Sequence, residues 1–430
     1  MLKPIAPHGG FAMQKTQNRW LIAAGAVCVH LPIGSVYAYS VLTLPLNDLH
    51  GWVKSDVTMA FSLAILLLGF SAAFLGPTID RIGPQKAARL CAAFYALGIA
   101  GAGAGIHLGI LPLFILSYGF IGGIGLGIGY IAPVPTLLKW FPDRRGMAGG
   151  MAVMGFGFGS LVFGPLMVAM MKFLPVWAVL YALAGVYGAI IFLASRVLAP
   201  PPEGWSPTPG AASQAQAATQ TPKSIPADMT AKEALRTPRF YYLWLMMFTN
   251  IGCGISIISV ASPMAQEMTG MTTLQAAGLV GMMGLFNGLG RFFWASVSDY
   301  IGRTATFIAF FVLQFGIYLL LAKPMAQPLF YALVLLMISC YGGGFACLPA
   351  FISDIFGIRQ LGAILGCALT AWGIAGIAGP TITTRLLEHT GNYTLILHIL
   401  AGAMAAAFAI ALLMSAALRR LRAEAGHLRE

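Results

Sequence analysis

Three polar side chains inside apolar stretches are placed to do chemistry in this sequence: Arg291, Asn287 and His30. Arg291 lies in the run GLVGMMGLFNGLGRFFWASVS that starts at Gly278. A guanidinium at the centre of a lipid-embedded helix costs about 2.5–3.5 kcal/mol on insertion scales. None of the 13 acidic residues falls mid-span to offset that cost. A cation with no acidic partner in low dielectric is a site for an anion, and its rigid planar fork matches a carboxylate bidentately. Asn287 lies one helical turn earlier on the same face. It is placed to orient the guanidinium, to donate to a ligand, or to hold two helices together. His30, ten residues into the first apolar run, is a candidate proton site because imidazole titrates within the physiological range. Its alternative is a hydrogen-bonded packing residue, and the same choice holds for His398 near the C-terminus.

The elements that must position these residues are membrane spans. Hydrophobic residues make up 58% of the 430-residue chain and charged residues 9%, and the mean hydropathy is +0.82. A soluble domain of this size could not carry that surface. A span needs about 20 apolar residues, and twelve such stretches can be marked: 20–45, 57–78, 88–107, 110–138, 147–171, 174–195, 240–263, 275–298, 304–322, 327–351, 361–384 and 393–417. The Pro-, Ala- and Gln-rich stretch between the sixth and seventh reads as a flexible linker. The expected organisation is therefore an N-terminal segment 1–19, a six-helix bundle over 20–197, a linker 198–238, a second bundle over 239–417, and a tail 418–430.

The net charge of +12 needs no nucleic acid. With the N-terminus inside, 20 Lys and Arg residues fall in cytoplasmic segments and 4 (Lys54, Lys172, Lys323, Arg385) in external ones. That asymmetry predicts both termini in the cytoplasm. The first apolar run, about 26 residues, exceeds the h-region of a signal peptide and lacks a cleavage site, so it is expected to stay as a span. The six cysteines lie within spans, with neither disulfide nor metal-ligand spacing, and read as helix-packing residues. No metal, cofactor or ATP-binding pattern is found, and no enzyme chemistry is expected. The glycine series Gly122–Gly129 lies inside an apolar span with no strand before it, so a nucleotide loop is excluded. With Gly155, Gly157 and Gly159 it reads as small-residue faces where helices approach.

The two halves repeat each other. Asp80-Arg81-Ile82-Gly83 recurs as Asp299-Tyr300-Ile301-Gly302, followed by Arg303, at an offset of 219. Gly164-Pro165 recurs as Gly379-Pro380, Arg144 as Arg359, and Pro45 as Pro263 at nearly the same offset. Such spacing implies parallel repeats about an axis along the membrane normal, with a substrate site between them near the midplane.

The D-R-I-G and D-Y-I-G-R turns, with Gly76 four residues before Asp80, resemble the loop motif of the major facilitator superfamily. Within it, Lys139–Gly150, Leu285–Arg303 and Phe351–Gly357 resemble the oxalate:formate antiporter family and its monocarboxylate-transporter relatives. The resemblance runs from Trp20 to about Ala417 and implies an all-α fold of twelve transmembrane helices in two pseudo-symmetric bundles. It places Arg291 at the family's substrate-binding arginine on helix 8, and Tyr130 at a pocket tyrosine on helix 4. Phe345 is the repeat mate of Tyr130, and Tyr341 lies one turn before Phe345. Tyr37 and Tyr39 match cavity-facing aromatics of helix 1. His398 falls on helix 12, which is peripheral in this fold. Aligned on Ser353-Asp354-Ile355-Phe356, Ala368 falls where the oxalate antiporters carry a second cation on helix 11. A dianion on one cation would leave a bare negative charge in low dielectric, so a monocarboxylate is expected.

The expectation is a secondary transporter of the inner (plasma) membrane for a small monocarboxylate such as lactate, pyruvate, formate or glyoxylate. Its candidate substrate-binding residues are Arg291, Asn287, Tyr130, Tyr341, Tyr37, Tyr39 and Phe345, with His30 as a possible proton site. Asp80, Arg81, Gly83, Asp299, Gly302 and Arg303 are expected to latch the two halves. Its partners are then a carboxylate, protons and lipid, with the chain acting as a monomer. The alternatives are an oxalate/formate-type exchanger, a multidrug exporter of the same fold, which would want an intramembrane acid, and a carboxylate sensor, which would need a signalling domain.

Overall fold

The computed structural model describes residues 18–202 and 228–427. The expected N-terminal segment and most of the expected linker lie outside them. The described residues form helices and turns, with no strand among them. Among the described residues, eleven helices are long and apolar enough to cross a membrane. A twelfth, Thr273–Ile301, is 29 residues long and carries Arg291 and Asn287, whose polar side chains lower its hydropathy.

The first span is α1 (Arg19–Ile33) and α2 (Ser40–His50), joined by a tight 3-10 segment, Gly34–Ala38. Pro32 near the end of α1 removes a backbone donor and crowds the preceding turn. The glycine at 34 lets that segment press against the backbone of Phe156. α3 (Lys54–Ile82) and α4 (Pro84–Leu108) follow. The fourth span is segmented into α5 (Leu111–Ile115), a wide π turn at Leu116–Ile121, α6 (Gly122–Ile131) and α7 (Val134–Trp140). Pro133 interrupts it between α6 and α7. α8 (Arg145–Met171) and α9 (Val176–Ser195) complete the first half.

The second half opens with a short α10 (Ala231–Ala234) inside the expected linker. It starts with a capping box: the Thr230 hydroxyl accepts from the Glu233 backbone N–H, and the Glu233 carboxylate accepts from Thr230. Those bonds hold the Glu233 carboxyl below the usual carboxylate range. Met229 donates to the Phe356 carbonyl at 2.9 Å, and Asp228 accepts from Ile358 at 3.0 Å. This end of the linker is thus docked on the second half. The six remaining long helices are α11 (Pro238–Thr269), α12 (Thr273–Ile301), α13 (Arg303–Leu321), α14 (Gln327–Phe356), α15 (Leu361–Thr390) and α16 (Tyr393–His427). α16 runs ten residues past the expected boundary at 417. A 30-residue helix is about 45 Å long, enough to span the hydrocarbon core with its ends in the headgroups.

The halves meet along two helix pairs, α3 against α15 and α8 against α12. Small residues bring the backbones together there, as is usual where lipid supplies no hydrophobic drive between helices. A Cβ on Gly157 of α8 would lie 2.7 Å from the Gly288 Cα of α12, and one on Gly366 of α15 would enter the Ala72 carbonyl of α3. Gly159 instead packs α8 against α1, and Gly125 packs α6 against α4.

Candidate functional site

The α3 and α12 helices end at Gly83 and Gly302, both at positive φ (82° and 88°), a conformation that favours glycine. The repeated D-x-I-G motif therefore encodes the same backbone turn twice. Each motif aspartate reaches the N-terminus of a helix in the other half. The Asp80 carboxylate accepts from the Ala363 N–H of α15 at 3.0 Å. Asp299 accepts from the Gly146 and Met147 N–H groups of α8 at 2.8 and 2.9 Å. Anions at helix N-termini meet free donors and the positive end of the dipole. Arg303 bridges Asp299 (2.6 Å) and Asp354 (3.2 Å), and Arg145 reaches Asp354 at 3.6 Å. Arg81 is exposed beside this layer.

Deeper along the same interface, Arg291 is 0% exposed. Its Nε donates to Asn287 Oδ1 at 3.3 Å and its Nη1 to the Val153 carbonyl of α8, also at 3.3 Å. Asn287 thus orients the guanidinium, and its one-turn spacing is what allows it. The rings of Phe156 and Phe345 flank the cation, 5.5 and 4.9 Å from its central carbon. Among the described residues no carboxylate pairs with it. Its Nη2 is buried with no hydrogen-bond partner.

Aromatic residues of both halves close around that free end. Tyr130 of α6 lies 5.5 Å from Phe156 and 5.5 Å from Trp372 of α15, ring to ring. Trp372 also contacts Phe156 at 5.4 Å and Phe345 at 4.6 Å. Tyr37, from the 3-10 segment, pairs its hydroxyl with that of Tyr341 across the halves at 3.2 Å. The charge on Arg291 acts on the hydroxyls of Tyr37, Tyr130 and Tyr341. The Tyr130 hydroxyl and Arg291 Nη2 are buried without a well-formed hydrogen bond, although Arg291 lies within reach of Tyr130, and Trp372 Nε1 is buried without a partner. Each such orphan costs about 1–3 kcal/mol. Three in one cluster, all able to donate and one charged, give this interface a buried, electropositive set of donors.

One expected position falls elsewhere. Tyr39 turns away: its hydroxyl donates to the Val57 carbonyl, and its ring meets Phe61, Phe114 and Tyr118. The reason is elementary, since residues two apart on a helix do not share a face, and Tyr37 takes the inward one. On α15 the side chain that enters the cluster is Trp372, one turn beyond Ala368. In the sequence it is marked only as the large polar-tipped residue of that span. The helix still brings no second cation to the cluster.

His30 borders the cluster, its ring edge-on to Tyr130 at 5.3 Å. Its two ring nitrogens lie 3.2 Å from the carbonyls of Ala26 and Tyr130. The Tyr130 carbonyl is among the last of α6 before Pro133, where intrahelical donors run out. His398 is exposed, with Nδ1 2.7 Å from the Thr394 carbonyl.

The Major Facilitator Superfamily model matches residues 23–380. The chain belongs to that superfamily of membrane transporters. It is 28% identical over 387 residues to the oxalate:formate antiporter of Oxalobacter formigenes, covering 88% of each chain. It is 25% identical over 401 residues to apicoplast pyruvate carrier 1 of Toxoplasma gondii, covering 79% of this chain and 72% of the carrier. Among solved structures, it superposes on the transporter FucP in its outward conformation with a TM-score of 0.67, at 17% identity over 92% of this chain and 99% of FucP. The superfamily's multi-pass, all-helical architecture is therefore that of this protein.

Proposed function

We propose that this chain carries a small monocarboxylate across the inner (plasma) membrane by alternating access of its two halves, with both termini in the cytoplasm. The observation that carries the reading is the buried Arg291, held by Asn287 and Val153 with one nitrogen unpaired, beside the unpaired hydroxyl of Tyr130. Bound carboxylate would neutralise the guanidinium and satisfy both orphans. Phe156, Phe345, Tyr37 and Tyr341 surround the guanidinium, which favours a small ligand. Because the Arg291 contacts come from both halves, the bound anion ties them together, and the cross-half aspartates Asp80 and Asp299 would then make and break one gate.

His30 is proposed as the proton carrier. A neutral ring donates to one of its two facing carbonyls and turns a lone pair toward the other, whereas an imidazolium donates to both. The charged group facing it is Arg291, on α12. A bound carboxylate cancels that repulsion, so proton and substrate favour each other's binding.

Likeness to an oxalate:formate antiporter favours a second reading, exchange of oxalate for formate. One cation speaks against it, because oxalate would keep a net negative charge in the site. Uptake into proteoliposomes of labelled lactate, pyruvate, formate and oxalate, with and without a pH gradient, separates the two. Oxalate as preferred substrate would replace the monocarboxylate reading, and no carboxylate uptake at all would defeat both.

A further inference from the structure

Three unpaired donors converge on the Arg291 cluster, one more than the two oxygens of a simple carboxylate call for. Arg291 Nη2 and the Tyr130 hydroxyl suit the carboxylate. The third, Trp372 Nε1, is buried on α15 with its ring in contact with Tyr130, Phe156 and Phe345. An indole N–H can only donate, so it asks for an acceptor. In the structure it has none: Phe156 and Phe345 have no polar atom, and neither the Tyr130 hydroxyl nor the Tyr37–Tyr341 hydroxyl pair is hydrogen-bonded to it.

We infer that Trp372 is a specificity-determining residue, whose N–H reads a third oxygen on carbon 2 of the substrate. This rests on Arg291 as carboxylate anchor and narrows the substrate to 2-oxo and 2-hydroxy monocarboxylates. An acid lacking that oxygen leaves the indole N–H buried and unpaired, and sites built to hydrogen-bond a group reject analogues without it. The planar ring also packs edge-on against Phe156 and Phe345.

The test is Trp372→Phe, which removes the donor and keeps an aromatic ring, in proteoliposomes with pyruvate, lactate, propionate and acetate as competitors of labelled uptake. Wild-type protein should prefer pyruvate and lactate over propionate about tenfold, a typical effect of one buried hydrogen bond. Trp372→Phe should lose most of that preference, with pyruvate and lactate falling toward the affinity of propionate. Equal loss for all four acids would overturn the inference by placing the N–H on the carboxylate. Unchanged preference would reduce Trp372 to packing. Arg291→Gln run in parallel keeps the two readings apart. If it spares uptake, the anchor itself is wrong; if it abolishes all binding while Trp372→Phe changes nothing, the specificity assignment alone fails.

Discussion

Replacing Arg291 tests the centre of the site. Nε and Nη1 are engaged by Asn287 and Val153, so a ligand meets mainly the Nη2 end of the fork, together with the Tyr130 hydroxyl. A charge-assisted hydrogen bond contributes about 1.5–3 kcal/mol. Arg291→Gln removes the charge and both N–H groups of the free Nη2, worth up to two such bonds, so carboxylate affinity should fall by about 3–6 kcal/mol, or roughly 10²- to 10⁴-fold. Arg291→Lys keeps the charge as a point and loses the planar geometry, and should fall by about one such bond, roughly tenfold to a hundredfold. Folding should not suffer in Arg291→Gln, because removing a buried cation relieves an insertion cost of about 2.5–3.5 kcal/mol. The assay is labelled-carboxylate binding and uptake in proteoliposomes, with membrane yield measured alongside. Near-normal affinity in Arg291→Gln would refute the anchor, and a Lys variant as poor as Gln would refute the division between charge and fork.

An empty carrier must reorient with Arg291 charged and bare, which low dielectric disfavours, so unlabelled carboxylate on the trans side should accelerate labelled uptake several-fold; equal rates with and without it would contradict the bare-cation argument. His30→Gln, which keeps donor capacity toward the two carbonyls without titrating, should abolish acid stimulation of net uptake and spare exchange, and acid stimulation that survives excludes His30 as the carrier. Asp299→Asn loses both the anion at the α8 N-terminus and the bridge to Arg303, so amide exchange at Gly146 and Met147 should rise more than exchange at Ala363 rises in Asp80→Asn, with carboxylate affinity little changed. Undisturbed exchange at Gly146 and Met147 would remove Asp299 from the gate.

Within one helix, the sequence alone was enough. Apolar length marked the spans, and the glycines of D-x-I-G marked where α3 and α12 must stop. The one-turn spacing of Asn287 and Arg291 predicted a contact that the structure shows, because i,i+4 neighbours are fixed by helix geometry. The lone charge of Arg291 was legible for the same reason: its depth follows from position along the span. Periodicity also had a warning that went unused, since Tyr37 and Tyr39 could not both face inward. What only the tertiary structure decided is everything that depends on how one helix is rotated against another. The contact of Trp372 with Tyr130, the Val153 carbonyl on Arg291, the Tyr37–Tyr341 hydroxyl pair and the reach of Asp80 and Asp299 into the opposite half all join residues more than 100 positions apart. Those rotations are set by where small residues let backbones close, as at Gly157 and Gly366. Glycine-rich faces occur throughout this chain, and only packing selects which of them meet.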